Sequence, residues 1–410
     1  MTTQAPPAPA APPEPGLTPH EVIARAEALA ATLVERQAET EQRGYYAPDT
    51  HEAFARAGLY RILVPRRYGG YAFGPETFMK VSMALARGCP STGWMYLFGA
   101  AHALAAATLF DEDTQAELFA GGDFICPATV APTGTARPDS DGDGWIIDGT
   151  WNYCSGAPYA THVIGHTLIP QGEGQPPAPL LFIAPRTQFQ RLDDWGSQLG
   201  LRGSGSHSIR LTGARIPARH TLTGHLSQIT LTDATPGRTL HGPEYGGGPL
   251  SFMLLELGVL AVGMAQGALD AYEELMRTRT TAFLPIVPRT QDPDFQFRYG
   301  EATGQIAAAE AAVLHATTQW RQLCEQPPAA FTREAELRLA AISREAVRLA
   351  WRAVEQQLFP TAGSSAVRAG ERIERVWRDM SMLHSHAGNG IFLATLANRE
   401  LAQAHFTPTP

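Results

Sequence analysis

Apolar positions change their spacing twice along the chain. From Thr18 to about Asp123 they recur at helical intervals, with Val22, Ala26, Leu29, Ala30 and Leu33 on one stripe. Thr18-Pro19 supplies a cap and a proline at the first helical position. Asp49-Thr-His-Glu52 has capping-box spacing and starts a second, short helix that Gly58 can close. Pro75 to Arg87 and Trp94 to Phe110 predict further helices. From Phe124 to about Leu231, short β-rich runs (Trp145–Asp148, His162–Gly165, Leu180–Ala184, Ser208–Leu211) alternate with Gly, Pro and Asp turns. That pattern predicts an antiparallel sheet or barrel. A Gly- and Pro-rich loop follows, Pro236 to Pro249. Leu250–Arg279, Gln296–Cys324, Thr332–Phe359 and Ile373–Gln403 are then long enough for a four-helix bundle. The expected fold is α+β: a disordered Pro/Ala-rich tail (1–16), an N-terminal helical domain (17–123), a central antiparallel β domain (124–233) and a C-terminal helical bundle (234–410).

Composition narrows the function. Of 410 residues, 44% are hydrophobic and only 18% charged, so a disordered or coiled-coil chain is excluded. The net charge of −8 argues against a nucleic-acid partner, whose affinity needs a basic excess. The first sixteen residues hold six prolines and no apolar run, unlike a signal peptide. Glu256 and Gln266 interrupt the most membrane-like stretch, Leu250 to Ala268, which predicts a buried helix and no membrane. Cys89, Cys126, Cys154 and Cys324 form no C-x-x-C pair, so free thiols and a cytoplasmic location are expected.

Several local motifs carry less than they suggest. Asp139-Ser-Asp141-Gly-Asp143-Gly144 copies half a calcium loop, but Thr150 stands where a bidentate Glu is needed, so a hairpin turn is expected. Gly200-Leu-Arg-Gly203-Ser-Gly205 lacks the Lys-Ser/Thr of a phosphate loop and precedes a strand. Ser204, Ser206 and His207 lack the G-x-S-x-G elbow of a hydrolase. His241 has no ligand spacing. His384 and His386, two apart, point about 200° from one another on a helix and do not share a metal.

Read in order, other patches resemble a known family. Phe54 to Pro65 with Arg67-Tyr-Gly-Gly70 resembles the first domain of acyl-CoA dehydrogenase-fold flavoproteins. Cys89-Pro-Ser-Thr-Gly-Trp94, His102, Ala131-Pro-Thr-Gly134, Gly149-Thr-Trp151-Asn-Tyr-Cys-Ser155-Gly156 and Leu199-Gly-Leu-Arg-Gly-Ser-Gly205 resemble its two-component, flavin-dependent monooxygenase branch. So do Asp292-Pro-Asp-Phe-Gln296, Thr361-Ala-Gly-Ser-Ser365 and Arg375-Val-Trp-Arg-Asp379 with His386-Ala387. Many dehydrogenases of this fold place a Glu about eight residues after that Arg-Asp. Here Met380 to Asn389 contains no acid, and His386 falls where the monooxygenases carry a histidine. The alternative is an acyl-CoA dehydrogenase-type enzyme whose base is Glu256 or Glu273.

The resemblance implies an oxygenase component that uses reduced FMN or FAD and O2. A flavin C4a-hydroperoxide would oxygenate a small aromatic or heteroatom-containing substrate. His386 would move the proton, helped by His102, since imidazole titrates near neutrality. Trp94, Thr129 and Ser155 would surround the isoalloxazine. Arg279 (or Arg277), Phe283 and Gln296 would reach the cofactor of a neighbouring subunit in a homotetramer. No nicotinamide-binding fingerprint is visible, so a separate NAD(P)H:flavin reductase is the expected partner.

Overall fold

The structure, a computed structural model, describes residues 11–172 and 174–407, so most of the expected tail lies outside the described residues. The N-terminal part contains α1 (Pro19–Glu35), α2 (Gln37–Arg43), α3 (Pro48–Arg56), α4 (Gly74–Gly88), α5 (Pro90–Ala100), α6 (His102–Leu109) and α7 (Glu112–Leu118). The Thr18 hydroxyl accepts the Glu21 N–H and the Glu21 carboxylate accepts the Thr18 N–H, which closes a capping box on α1. The second cap differs from expectation. Helix α3 starts after Ala47 with Pro48 at its first position, because the Asp49 carboxylate is held 2.9 Å from Arg36 instead. Gly58 follows α3 in the left-handed region at φ 80°, where its lack of Cβ removes the strain.

The β domain comprises β1 (Ala128–Pro132), β2 (Thr135–Pro138), β3 (Gly144–Ser155), β4 (His162–Ile169), β5 (Ala178–Pro185), β6 (Gln190–Arg191), β7 (Ser206–Pro217) and β8 (Thr221–Thr223). They form two four-stranded sheets, ordered β1-β4-β5-β8 and β2-β3-β7-β6. The expected all-antiparallel pairing needs one correction, since β1 runs parallel to β4. Between them the chain visits the other sheet as β2 and β3, and that crossover lets it return in the same direction. Asp139 to Gly144 is a hairpin turn in which Asp139 and Asp141 pair with Arg215.

After α8 (Pro236–His241), inside the expected loop, come α9 (Pro249–Thr278), α10 (Pro293–Cys324), α11 (Arg333–Arg352), α12 (Phe359–Ala362), α13 (Arg372–Ser385) and α14 (Ala397–Phe406). Two helices predicted as continuous are interrupted. π-Helical turns span 353–358, and the last helix breaks at His386-Ala387 before a second π-helical stretch at 388–396. Helix α9 is apolar enough to cross a membrane by length and composition, yet 83% of its most apolar window is buried among other helices. It packs on α4, α10, α11 and α13. A Cβ on Gly263 would lie 2.4 Å from the Met83 carbonyl of α4, so glycine there permits the close crossing.

The buried apolar side chains fall into two clusters. One joins the N-terminal helices to the C-terminal bundle without interruption. The other, with Ile147, Trp151, Phe182 and Ile209, fills the β domain alone.

Candidate active site

Helix α13 is fixed from three sides by its Arg-rich start. Arg375 and Arg378 both reach Glu41 of α2 at 2.9 Å, and Arg378 also holds Glu374 one turn back. Trp377 stacks on Phe359. Asp379 is buried; its carboxylate accepts the Leu201 N–H at 2.5 Å and the Ser91 hydroxyl at 3.3 Å. Burial pushes its pKa up to about 7, against the opposing Leu201 hydrogen bond and Arg378 charge. The Gly200 turn fits because a Cβ there would lie 2.1 Å from the Arg378 carbonyl. The glycine-rich segment is therefore a clamp between the β domain and α13.

Seven residues past Asp379, His386 ends α13 with an extended backbone. Its ring meets Trp94 edge-on, centroids 5.2 Å apart, and Phe98 at 6.3 Å. The Gly388 N–H donates to His386 Nδ1 at 3.2 Å. With Nδ1 accepting, the neutral ring carries its proton on Nε2 and presents a donor. Surrounding protein pushes its pKa down to about 4 by desolvation. One side of the residue stays open to solvent. His386 is a neutral donor at pH 7. His384 turns elsewhere and packs on Trp351 of α11, ring centroids 4.8 Å apart.

Trp94, Phe98 and His102 lie four residues apart along α5 and α6, so they share one stripe. His102 is buried, its Nδ1 3.1 Å from the Phe98 carbonyl. Desolvation lowers its pKa to about 4, with the carbonyls of Phe98 and Cys126 acting against it. No ring contact joins it to His386. From Trp94 a hydroxyl chain enters the β domain. Trp94 Nε1 donates to Ser155 at 2.9 Å, Ser155 pairs with Ser206 at 2.8 Å, and Ser206 pairs with Ser204 at 2.6 Å. The serines thus order Trp94 and Ser155, while His207 faces Asp193 and Asp194, each 3.9 Å away. Thr129 is held by a histidine the sequence did not single out. His166 Nδ1 donates to the Thr129 carbonyl at 2.8 Å, while its Nε2 accepts the Leu226 N–H.

The remaining candidates lie at the other end of α9. Arg277 is tied to Glu273, whereas Arg279 has no carboxylate partner among the described residues and donates to Ser365 at 2.8 Å. Gly363 sits beside it at φ 92°. Phe283 is 86% exposed and Gln296 is exposed, with its amide on the Thr290 carbonyl. No hydrogen bond or ring contact links this group to Trp94, Ser155 or His386 in the same chain.

These residues suit a flavin. The Trp94 and Phe98 rings stand beside the His386 donor, and Trp94 is tied to the Ser155 hydroxyl. The free guanidinium of Arg279 with the Ser365 hydroxyl suits a phosphate. No group of three or more metal-ligating side chains occurs among the described residues.

Comparison with known proteins gives the family. Residues 20–117 match the N-terminal domain of acyl-CoA dehydrogenases, and residues 255–390 match an acyl-CoA dehydrogenase C-terminal domain. The chain is 30% identical to the oxygenase subunit HsaA of a flavin-dependent monooxygenase from Rhodococcus jostii, over 89% of this chain and 94% of that one. It is 27% identical to the oxygenase component of an FADH2-dependent resorcinol hydroxylase from a Rhizobium species, over 91% and 92% of the two chains. The crystal structure of 3-HSA hydroxylase from Rhodococcus sp. RHA1 superposes with a TM-score of 0.83 at 26% identity, covering 95% of this chain and 98% of that one. A carboxylate-free segment after Asp379, a histidine on the tryptophan wall and full-length similarity to oxygenase subunits lead to one conclusion: the chain belongs to the two-component flavin-dependent monooxygenases, enzymes built on the acyl-CoA dehydrogenase fold.

Proposed function

We propose that this enzyme hydroxylates a small aromatic substrate, using FMN or FAD reduced by a separate NAD(P)H:flavin reductase. The observation that carries this reading is His386, a neutral donor against Trp94 and Phe98 at an open mouth. Bound reduced flavin would supply two electrons and activate O2. The chain's own part is to offer the ring the Trp94–Ser155 pair, joined by its own hydrogen bond, as one wall and to keep a proton on His386 Nε2. Aromatic walls favour an aromatic substrate, as the resorcinol hydroxylase relative also suggests. Of the acids that would serve a dehydrogenase, Glu273 is engaged by Arg277 and Tyr299, and burial of Glu256 favours its protonated form.

The enzyme works, in this reading, as a homotetramer in the reducing cytosol. Support comes from the α9–α10 connection, where Phe283, Leu284, Ile286 and Phe297 are all more than half exposed beside Arg279, and from four buried free thiols. The test supplies photoreduced FMN or FAD to the purified chain with a panel of phenols, indoles and thiophenes, and measures O2 uptake and oxygenated product. Product matching the O2 consumed with at least one substrate supports the proposal. Uptake that ends wholly as hydrogen peroxide across the panel overturns it.

A further inference from the structure

One polar group in the helical core is left without a partner. Glu256 is 1% exposed on α9, and neither carboxyl oxygen has a hydrogen-bond partner among the described residues. It lines a narrow recess between α6, α9 and α10 with His102, Leu104, Phe252, Met253 and Trp320. The Trp320 N–H is taken by the Gly248 carbonyl at 3.0 Å. His102 and Thr108 are the other polar side chains that line it. Burial alone drives the Glu256 pKa well above 4.5, which favours the neutral carboxylic acid over the carboxylate.

An unpaired buried acid weakens a fold, and an apolar side chain of similar shape would fill the space without that penalty. Its presence at a cavity wall points to a ligand as the missing partner. The position agrees. His102 continues the Trp94–Phe98 stripe, two helical turns or roughly 12 Å beyond Trp94. Leu257, next to Glu256, lies against the backbone just after His386. The recess and the Trp94–Phe98 stripe thus share His102.

We propose that Glu256 is a specificity-determining residue that receives a hydroxyl group on an uncharged aromatic substrate. A protonated carboxyl offers one donor and one acceptor, which a phenolic O–H matches in both directions. No Arg or Lys lines the recess to balance an anion, and a cationic amine would have to be desolvated together with an ionised Glu256. This inference rests on the oxygenase reading for the identity of the site, but its test involves no turnover.

The test is equilibrium dialysis of 2-naphthol and naphthalene against the intact chain with oxidised flavin and no reductase. Wild type should bind 2-naphthol about tenfold tighter than naphthalene, the value of one net hydrogen bond. Glu256→Gln, which keeps a donor and an acceptor, should retain the preference. Glu256→Leu and the unbranched Glu256→Met should lose it while binding naphthalene as before, and at least one should fold with a raised thermal midpoint. A wild-type preference near one, or one that survives in a folded apolar variant, overturns the proposal. Neither result bears on oxygen chemistry. Conversely, failure to form product while the dialysis preference holds would sink the oxygenase reading alone.

Discussion

His386 is placed by two neighbours that act on different atoms: Trp94 orients the ring, and the Gly388 N–H chooses its tautomer. If the Nε2 proton is what the reaction uses, His386→Ala should lower product formation by ~10²-fold or more and divert O2 to hydrogen peroxide, with flavin affinity little changed. His386→Gln, whose amide nitrogen can stand near Nε2, should recover part of the coupling. His384→Ala should be nearly silent, since that ring packs on Trp351. Product-to-peroxide ratios on the three variants decide it, and a coupling loss confined to His384→Ala would reverse the assignment. His386 was legible because its sequence position follows a recognisable Arg-Asp pair. Glu256 entered the sequence reading as an interruption of an apolar run and as a candidate dehydrogenase base, not as the wall of a recess, and His166 not at all. Their roles depend on Trp320 and Leu226, each sixty or more residues away, and no local spacing encodes such a neighbour.

Among elements, α13 matters most, because its docking decides where His386 stands. The long helices were readable from periodicity to within a few residues, whereas the short α2, α7 and α8 were not. The breaks in the long helices were not either: the chain leaves helical geometry at His386-Ala387, and the nearby Gly388 and Gly390 lie inside the π-helical stretch that follows instead of capping α13. The parallel β1–β4 pair escaped for a related reason, since pairing across a crossover leaves no mark on a five-residue strand. The Asp379 clamp gives a measurable pH signature. Its folded pKa is raised from 3.8 to about 7, so between roughly pH 4 and 7 the folded chain holds a proton that the unfolded chain has released. Stability from this group is full below pH 4 and falls by about 1.4 kcal/mol per pH unit as pH rises toward 7. Asp379→Asn keeps an acceptor for the Leu201 N–H and can still pair with Ser91, so it should fold and flatten this slope. Urea unfolding at pH 5 and pH 7 checks it; an unchanged slope in the variant would show that the clamp titrates elsewhere.

At the scale of the whole molecule, the division into helices, β domain and helices was visible from composition alone. What composition concealed is that the first and last parts share a core. The exposed α9–α10 connection belongs to this scale too. Phe283→Asp with Leu284→Asp should leave the fold intact but shift light-scattering mass to a smaller species and weaken flavin binding at least tenfold, because each site would lose its neighbour's contribution. A tetramer that persists with unchanged flavin affinity would show that this loop is not the contact. The continuous helical core has a further consequence, for synthesis. Leu59, Phe78 and Leu85 are buried in one cluster with Leu255, Val259 and Leu260, and those partners leave the ribosome more than 160 residues after Leu85. Helices α1 to α7 must wait, apolar faces uncovered, while the β domain emerges and closes around a core of its own. A nascent chain arrested near residue 245 would therefore carry a finished β domain attached to an unfinished helical half. That half is where holding chaperones should bind, and they should let go once α9 is made.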